Sequence, residues 1–563
     1  MDIKDTMMTN INDELNKYIE PEDEGSNTGR SSNSIEDLRD IVLDNIKYFL
    51  TEEGIGYGKW SLDNGQSVTA ELTSKKFKLY VRRIARENNF SPQPNVINTV
   101  VEEVQAQADI ANSKPTYLRT AYAPNGNVHI FVGTESAPEY VELNTATGTV
   151  APVASSPVEF IPKPYYEKMD YVVSDNGLEL LGKYVNLPDE QLKLLLVWIC
   201  SSLMPEDNWE YAQANFVGTK GTGKSTSMEN IARIIDNSGL KRMIFPSGIS
   251  VPKATENLFI NAFHNWCLSY DNVVKFGDNL AMVLAVFTTG NATMVRALFT
   301  NNEQVVMSSK RPVILNYISQ PHGRSDLLDR SIVFNFSELT GIREDDQTMR
   351  EYFNNDVAKI RGFVFQTLAQ ALHLMKTEPV VIDRADRWRV THFYKLGRHI
   401  EKVLNWEDKT FHNAIWSATN NQSLVLLQND EYATGMLDLT ADWAVGTIKE
   451  WTPTMLLNKI KTHYRNSNNE NDSEKYQWWQ RKTVPVFSRA LQNIVTELRL
   501  YNLKLQYQHS GNRLWIIEKI NNNNSTVLPD QSNNLDSMDT TLDNNNINPD
   551  NSIHDDFEQG RLE

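Results

Sequence analysis

Residues 218–226 read Gly-Thr-Lys-Gly-Thr-Gly-Lys-Ser-Thr. Gly218, Gly223, Lys224 and Ser225 fall on the spacing G-x-x-x-x-G-K-[ST], with a further glycine at Gly221. Glycines in this pattern let the backbone wrap a polyphosphate with its N–H groups turned inward, and the start of a helix adds positive potential. Gly218, Thr219, Lys220, Gly221, Thr222, Gly223, Lys224, Ser225 and Thr226 are therefore the expected cradle of a nucleoside triphosphate. Lys224 would reach the β- and γ-phosphates, and the Ser225 hydroxyl would ligate Mg²⁺. ATP and Mg²⁺ are the expected cofactors.

Such a loop needs an acidic residue at the tip of a neighbouring strand, to hold the metal and help orient the attacking water. The run Asn265-Trp-Cys-Leu-Ser-Tyr-Asp271 closes on Asp271, which completes the expected metal pair with Ser225. Asn272 follows, where many motor ATPases carry a glutamate. An amide can position water but cannot accept its proton. Hydrolysis is then either slow or served by another carboxylate, with Asp278 and Glu303 as candidates. Arg311-Pro-Val-Ile-Leu-Asn316 is a buried-strand pattern whose last residue, Asn316, would stand beside the loop and sense the γ-phosphate. Arg324 and Arg330, at the two ends of Arg324-Ser-Asp-Leu-Leu-Asp-Arg330, are candidates for an arginine finger reaching a neighbouring subunit's site. A surface ion pair is the alternative for each. Arg296, Lys310 and Arg311 flank a hairpin-like segment, Ala297–Met307, and could line a channel that tracks a single-stranded backbone.

The elements around these residues are legible from pattern. Asn215-Phe-Val217 ends an apolar run that reads as a strand, and Ser227–Ile235 continues as an amphipathic helix, the context the loop requires. From 211 to about 340 strand and helix alternate, as in a nucleotide-binding α/β domain. Helical patterns at Ile35–Leu50 and Val96–Ile110 surround a glycine-rich turn near Gly54–Gly58. Residues 115–160 look β-rich, with a hairpin turn at Asn125-Gly126, and Pro152–Pro164 reads as a linker. Val357–Leu374 is a clear helix. Thr452-Pro453 starts another, Val486–Leu498 is amphipathic, and Leu503–Gln508 and Leu514–Glu518 read as strands of a hairpin. Helix, helix and ribbon in that order suggest a winged helix. Its second helix would present Ser488, Arg489, Gln492 and Asn493 to base edges or phosphates, with Arg513 at the wing.

A chain of 563 residues is too long for one core and implies three or four domains. The net charge of −17 sits at the ends. Residues 1–40 carry 11 acidic and 4 basic side chains, and residues 521–563 carry 9 and 1. Both segments are poor in aromatics and have the composition of disorder. Residues 451–520 hold 11 basic against 5 acidic side chains, a basic footprint suited to nucleic acid. The apolar stretch Leu192–Met204 is too short to span a bilayer, and the acidic N-terminus lacks a signal-peptide core. Cys200 and Cys267 read as buried thiols, and no Cys/His spacing suggests zinc. The expected setting is the cytoplasm, away from membranes.

The chain resembles the helicase-like ATPases of phages and mobile genetic elements, related to superfamily 3 and AAA+ replication helicases. The similar stretches are Gly218–Thr226, Leu268-Ser-Tyr-Asp-Asn272, Thr289-Gly290 with Arg296-Ala-Leu-Phe-Thr300, Arg311–Asn316 and Leu327-Leu-Asp-Arg330. Upstream they are Leu118-Arg119, Pro157-Val-Glu-Phe160 and Tyr184-Val-Asn-Leu187. The resemblance covers roughly 115–375, with a weaker winged-helix similarity beyond. It implies an α/β fold with an AAA+-type P-loop core, ATP with Mg²⁺, a ring taken as a hexamer, and a role in replicating element DNA beside other replication proteins. The family shares the Asp-Asn pair, so Asn272 implies a different arrangement for activating water. No primase signature appears in residues 1–180. The expected organisation is an acidic arm (1–40), an N-terminal α+β region (41–165), the ATPase core (166–345), a helical region (346–445), a winged-helix domain (446–520) and an acidic Asn-rich tail (521–563). The expected activity is an ATP-driven DNA helicase or replication initiator. Single-stranded DNA would pass through a channel and duplex DNA would lie at the winged helix. An ATP-switched helicase loader or DNA-bound regulator is the alternative.

Overall fold

The computed structural model describes residues 33–521 apart from short stretches, the longest of which are 297–303, 318–324, 339–344 and 383–387. The acidic tail and most of the acidic arm lie outside the described residues, as do Glu303 and Arg324. The chain divides into two units, Met1–Val381 with Trp388–Leu426, and Ile382–Arg387 with Leu427–Glu563.

The first unit opens with helix α1 (Asn33–Asp44), which starts inside the span expected to be an arm because Leu38 and Val42 are fully buried. It does not run on to Leu50. Residues 47–51 form β1 (Lys47–Thr51), paired with β2 (Gly56–Ser61), and β3 (Ser67–Glu71) follows. Only Gly54, at φ 81°, makes the expected turn. Gly56 and Gly58 lie within β2, where a Cβ would crowd the Gln105 side-chain amide at one and Leu72 and Phe77 at the other. Helix α2 (Lys75–Glu87) escaped the pattern reading. The Ser74 side chain caps it by accepting from the Phe77 N–H, and it buries Phe77, Val81 and Ala85. With α3 (Pro94–Asp109) and β4 (Ser113–Lys114) these elements build a sheet of order β3-β2-β1-β4 covered by helices.

Next come β5 (Thr116–Tyr117) and an antiparallel meander of β6 (Thr120–Tyr122), β7 (Val128–Phe131), β8 (Tyr140–Asn144) and β9 (Thr149–Val153). The proline-rich stretch expected as a linker carries the end of β9 and all of β10 (Glu159–Phe160). β10 pairs with β5 because Phe160 and Ile161 are buried.

Helices α4 (Gly177–Tyr184) and α5 (Asp189–Ser201) lead into the α/β core. Its elements are β11 (Gln213–Val217), α6 (Lys224–Ile235), β12 (Met243–Ile244), α7 (Val251–His264), β13 (Leu268–Val273) and α8 (Asp278–Thr289), then β16 (Val313–Tyr317), α9 (Ser325–Leu328) and β17 (Ser331–Asn335). A hairpin of β14 (Ala292–Arg296) and β15 (Gln304–Ser308) intervenes between α8 and β16. The five core strands are parallel, in the order β12-β13-β16-β11-β17. Every residue of β16 is buried, as are the first three of β13, which fits a sheet covered on both faces. The long α10 (Asp346–Thr377), α11 (Thr391–Val403) and α12 (Thr410–Gln428) follow.

The second unit holds α13 (Glu431–Thr440), β18 (Ile448–Trp451), α14 (Pro453–Arg465), α15 (Glu470–Gln480), α16 (Val484–Asn493), β19 (Leu503–Gln508) and β20 (Leu514–Lys519). Its sheet has the order β18-β20-β19, so the expected ribbon gains a third strand. Leu456, Ile460, Phe487, Leu491, Leu505 and Trp515 form its core.

Two buried arginines hold the far end of α6. Arg119 donates to Asp236 Oδ1 from both Nε and Nη2, and to the Phe131 carbonyl at 2.9 Å. The second oxygen of Asp236 accepts the Trp266 and Cys267 N–H groups at 3.1 and 3.3 Å. Arg361 of α10 donates to the carbonyls of Arg233, Ile234 and Asp170, and burial pushes its guanidinium down to about 9. A cation at a helix C-terminus meets carbonyls that have no intrahelical partner. Replacing Asp236 by Ala strands a charged guanidinium and two buried N–H groups. We expect it to lower unfolding stability by about 3–5 kcal/mol, whereas a matched apolar pair, Arg119→Met with Asp236→Leu, loses less. Urea unfolding of the single and double variants checks both.

Candidate functional site

Residues 218–223 connect β11 to α6 and adopt the glycine geometry their spacing implies. Gly218, Gly221 and Gly223 have φ of 152°, 86° and 85°. A Cβ on Gly218 would meet the Phe336 carbonyl at 2.4 Å, whereas at Gly221 and Gly223 it would point into open space. Gly223 is the N-cap of α6 and supplies no side chain to its first N–H groups. The first N–H groups of a helix have no intrahelical acceptor, and an anion can supply one. Lys224 Nζ donates to the Gly218 and Thr219 carbonyls at 2.6 and 2.8 Å. Partial burial lowers its pKa from the ordinary value, and Asp271 works against that shift.

Parallel pairing sets the rest of the site. Phe216 lies opposite Asn316, and Tyr270 opposite Leu315. The tips of β11, β16 and β13 therefore end side by side. Ser225 Oγ donates to Asp271 Oδ1 at 3.0 Å, and Asn316 Nδ2 reaches both Asp271 Oδ1 at 2.5 Å and Ser225 Oγ at 3.0 Å. Asn316 Oδ1 is buried with no hydrogen-bond partner. The ladder shifts register just after Tyr270, and Asn272 takes the left-handed conformation at φ 54°. Asparagine tolerates that conformation better than glutamate does. The Asn272 backbone N–H bonds Asp271 Oδ1 at 2.9 Å and its side chain is exposed. Asp278 is exposed on the first turn of α8.

This arrangement suits a magnesium nucleotide. The glycine cradle is open and the helix N-terminus is uncapped. A hydroxyl–carboxylate pair of hard oxygen donors stands beside the loop lysine, with an orphaned amide oxygen next to it. Asn186, to which sequence assigned no role, braces the loop by donating to the Thr222 carbonyl at 3.2 Å and the Ser337 carbonyl at 2.6 Å. It falls within Tyr184–Leu187, one of the stretches that carry the resemblance, but its spacing assigns it no role. Among the described residues no cluster of three or more His, Cys, Asp or Glu could hold another metal, and no helix is long and apolar enough to cross a membrane.

Other expected site residues lie elsewhere. Arg330 stands at the opposite end of the strands from the loop, its carbonyl accepting the Gln213 N–H at 2.9 Å. It lines a cavity of about 350 Å³ with Glu210, Thr289, Arg389 and His392. Two channel expectations are corrected. Arg311 is buried, and its guanidinium is spent on Glu206 at 2.7 Å and the Ala262 carbonyl at 2.8 Å. Lys310 Nζ donates to the Glu206 carbonyl at 2.8 Å. Both belong to a structural knot at the start of β16, because charges leaving water need partners there. Arg296 ends β14, and its side chain lies outside the described residues. In α16, Arg489 and Gln492 are exposed, but the Ser488 hydroxyl is buried and does not face solvent. Asn493 is the last residue of that helix, and Arg513 is exposed just before β20.

Residues 178–391 match the family described as actinomycete integrative conjugative element replication protein. The chain is similar to a replication protein of mobile elements. The matched span holds the loop, Asp271, Asn316 and Arg330, and it ends before the second unit's sheet. The resemblance to mobile-element helicase-like ATPases read from residues 115–375 thus has an independent counterpart. Solved structures that the chain is similar to include one described as an active helicase, Cch of SCCmec type IV. It is 12% identical with a TM-score of 0.40, over 77% of this chain and 89% of that one. The C-terminal region of NrS-1 is 13% identical with a TM-score of 0.38, over 86% and 98%. A JCV helicase bound to a small acetamide compound is 12% identical with a TM-score of 0.23, over 42% and 61%. No curated protein sequence matches the chain.

Gly218→Ala tests how tightly the loop is drawn. Its Cβ must displace the Phe336 carbonyl or deform the loop, so we expect nucleotide affinity to fall by roughly 10-fold or more, with a stability loss of about 1–3 kcal/mol. Binding of a fluorescent ATP analogue beside thermal unfolding reads both.

Proposed function

We propose that the protein is an ATP-dependent DNA helicase or replication initiator of a phage or mobile genetic element. In this reading it hydrolyses ATP at subunit interfaces of a ring, taken as a hexamer. The observation that carries it is the convergence of Lys224, Ser225, Asp271 and Asn316 at adjacent tips of one parallel sheet. The strand order β12-β13-β16-β11-β17, with the loop strand between β16 and β17, supports an AAA+-type P-loop core. Loop residues 218–226 would hold the phosphates, with Ser225 and Asp271 on Mg²⁺. When bound, the metal would offset charge developing on the transferring phosphoryl group. Lys224 would trade the loop carbonyls for phosphate oxygens, and the Asn316 amide would report the γ-phosphate. Asn272 would orient water. The base would take the cavity of about 460 Å³ lined by Tyr184, Met349, Tyr352 and Asp356.

Arg330, at the opposite end of the sheet from its own loop, suits a role in a neighbouring subunit's site, and the same role is proposed for Arg324. The second unit supports a winged-helix reading. The β19–β20 hairpin follows α14, α15 and α16 in the expected order, β18 before them adds a third strand, and Arg489, Gln492 and Arg513 are exposed on the basic segment. We assign duplex DNA to this unit, together with Asn493, and single-stranded DNA to a channel reached by Arg296. The proposed domain limits are those given above, with helix α13 joining the winged-helix unit.

The exposed Asn272 in place of a carboxylate favours a second reading, an ATP-switched loader or DNA-bound regulator with slow hydrolysis. ATPase turnover with and without single-stranded DNA, beside sizing with ATP, separates the two. A motor shows DNA-stimulated turnover and strand separation, and Lys224→Ala lowers turnover roughly 100-fold or more. Turnover indifferent to DNA, with no strand separation, removes the helicase reading. Assembly that depends on ATP with very slow turnover supports the switch.

A further inference from the structure

The oxygens of Asp271 are not equivalent. Oδ1 accepts from Ser225 Oγ, Asn316 Nδ2 and the Asn272 N–H. Oδ2 instead faces Arg242, whose Nη1 stands 4.0 Å away, too far for a hydrogen bond. The other arm of that guanidinium is held by Glu229, with Nη2 at 2.9 Å from Oε2. Side-chain exposures of 11%, 23% and 39% for Asp271, Glu229 and Arg242 leave the group half-sheltered, so its charges are screened only in part.

The backbone fixes where these groups start. Arg242 directly precedes β12, where Met243 pairs with Tyr270 and Ile244 with Asp271. The Ser269 hydroxyl donates to the Lys241 carbonyl at 3.0 Å and pins that end of the strand. Glu229 lies four residues after Ser225 on α6, on the same helix face as the hydroxyl beside the loop. A cation and a second carboxylate are thus carried by the two elements that flank Asp271.

We propose that Glu229 is a positioning residue that keeps Arg242 off Asp271 Oδ2, so that this oxygen stays open to the divalent cation of the nucleotide site. This rests on the magnesium-nucleotide reading. A guanidinium and a divalent cation compete for one carboxylate, and the guanidinium is already tethered within 4.0 Å. Glu229 supplies the alternative partner. Without it, Arg242 has Asp271 as its near carboxylate and closes on it. With it, Arg242 holds a neutral ion pair beside the metal position and marks the outer limit of the site. The arrangement also accounts for a cation so close to a metal-binding carboxylate, which would otherwise weaken the site it adjoins.

The test is a three-variant cycle, Glu229→Gln, Arg242→Gln and the double variant, in the full chain. Mn²⁺ is the probe, titrated by electron paramagnetic resonance in the presence of saturating non-hydrolysable ATP analogue. Glu229→Gln is expected to raise the Mn²⁺ half-saturation roughly 3- to 10-fold, the range of a partly exposed ion pair. Arg242→Gln leaves it at or below the wild-type value, and the double variant follows Arg242→Gln. Affinity for the analogue in chelator stays unchanged throughout. A structural role for Glu229 would not be rescued by deleting Arg242. An unchanged half-saturation in Glu229→Gln, or a double variant as weak as that single one, overturns the proposal. Failure of the wild type to bind the Mn²⁺–analogue complex overturns the nucleotide reading itself, an outcome read before any variant is made.

Discussion

The register of three parallel strands governs the site. Phe216 pairs with Asn316 and Tyr270 with Leu315, so the residues that follow emerge at one level from β11, β16 and β13. Hydrogen bonds of 2.5–3.0 Å among Ser225, Asp271 and Asn316 are possible only because of that alignment. A slip of one residue in β16 would turn Asn316 to the other face of the sheet and replace it with an apolar neighbour, Leu315 or Tyr317. Burial on both sides of β16 prevents the slip, since residues 313–317 are all buried. Packing thereby sets chemistry.

The helix after the loop is held at both ends by different physics. Its start is left without a side-chain cap, with an open concavity in front of it. Its end is closed by two buried arginines, one paired with Asp236 and one on the last carbonyls. Arg119 comes from the β-rich region and Arg361 from α10, so elements far apart in sequence are tied to the helix that presents Lys224 and Ser225. Buried charges without partners are costly, and these find theirs around α6. A helix anchored at its end and uncapped at its start is a suitable base for binding an anion.

How far the chain could be read without coordinates varies with the kind of signal. The loop was legible because glycine positions, a lysine and a hydroxyl at set spacing constrain local backbone directly. Asp271 and Asn316 stood out as polar residues ending apolar runs. Lys310 and Arg311 misled, because a basic pair beside a hairpin looks the same in sequence whether it meets solvent or Glu206. Ser488 misled for a similar reason, as a single helical step of about 100° separates an exposed Arg489 from a buried hydroxyl. In sequence β1 continues the helical pattern before it, since apolar spacing at Tyr48, Phe49 and Leu50 is ambiguous over so short a run.

By itself the sequence determined the local geometry of the loop, the alternation of strands and helices around it, and the charge contrast between the acidic ends and the basic segment. Each depends on residues within a few positions of one another or on composition. Only the tertiary structure decided which groups share a site. Asn186 braces the loop from 36 residues away, Arg119 reaches Asp236 across 117, and Glu229 and Arg242 meet Asp271 from separate elements. Those partnerships follow from sheet order and burial, which bring distant segments together with no trace in their spacing.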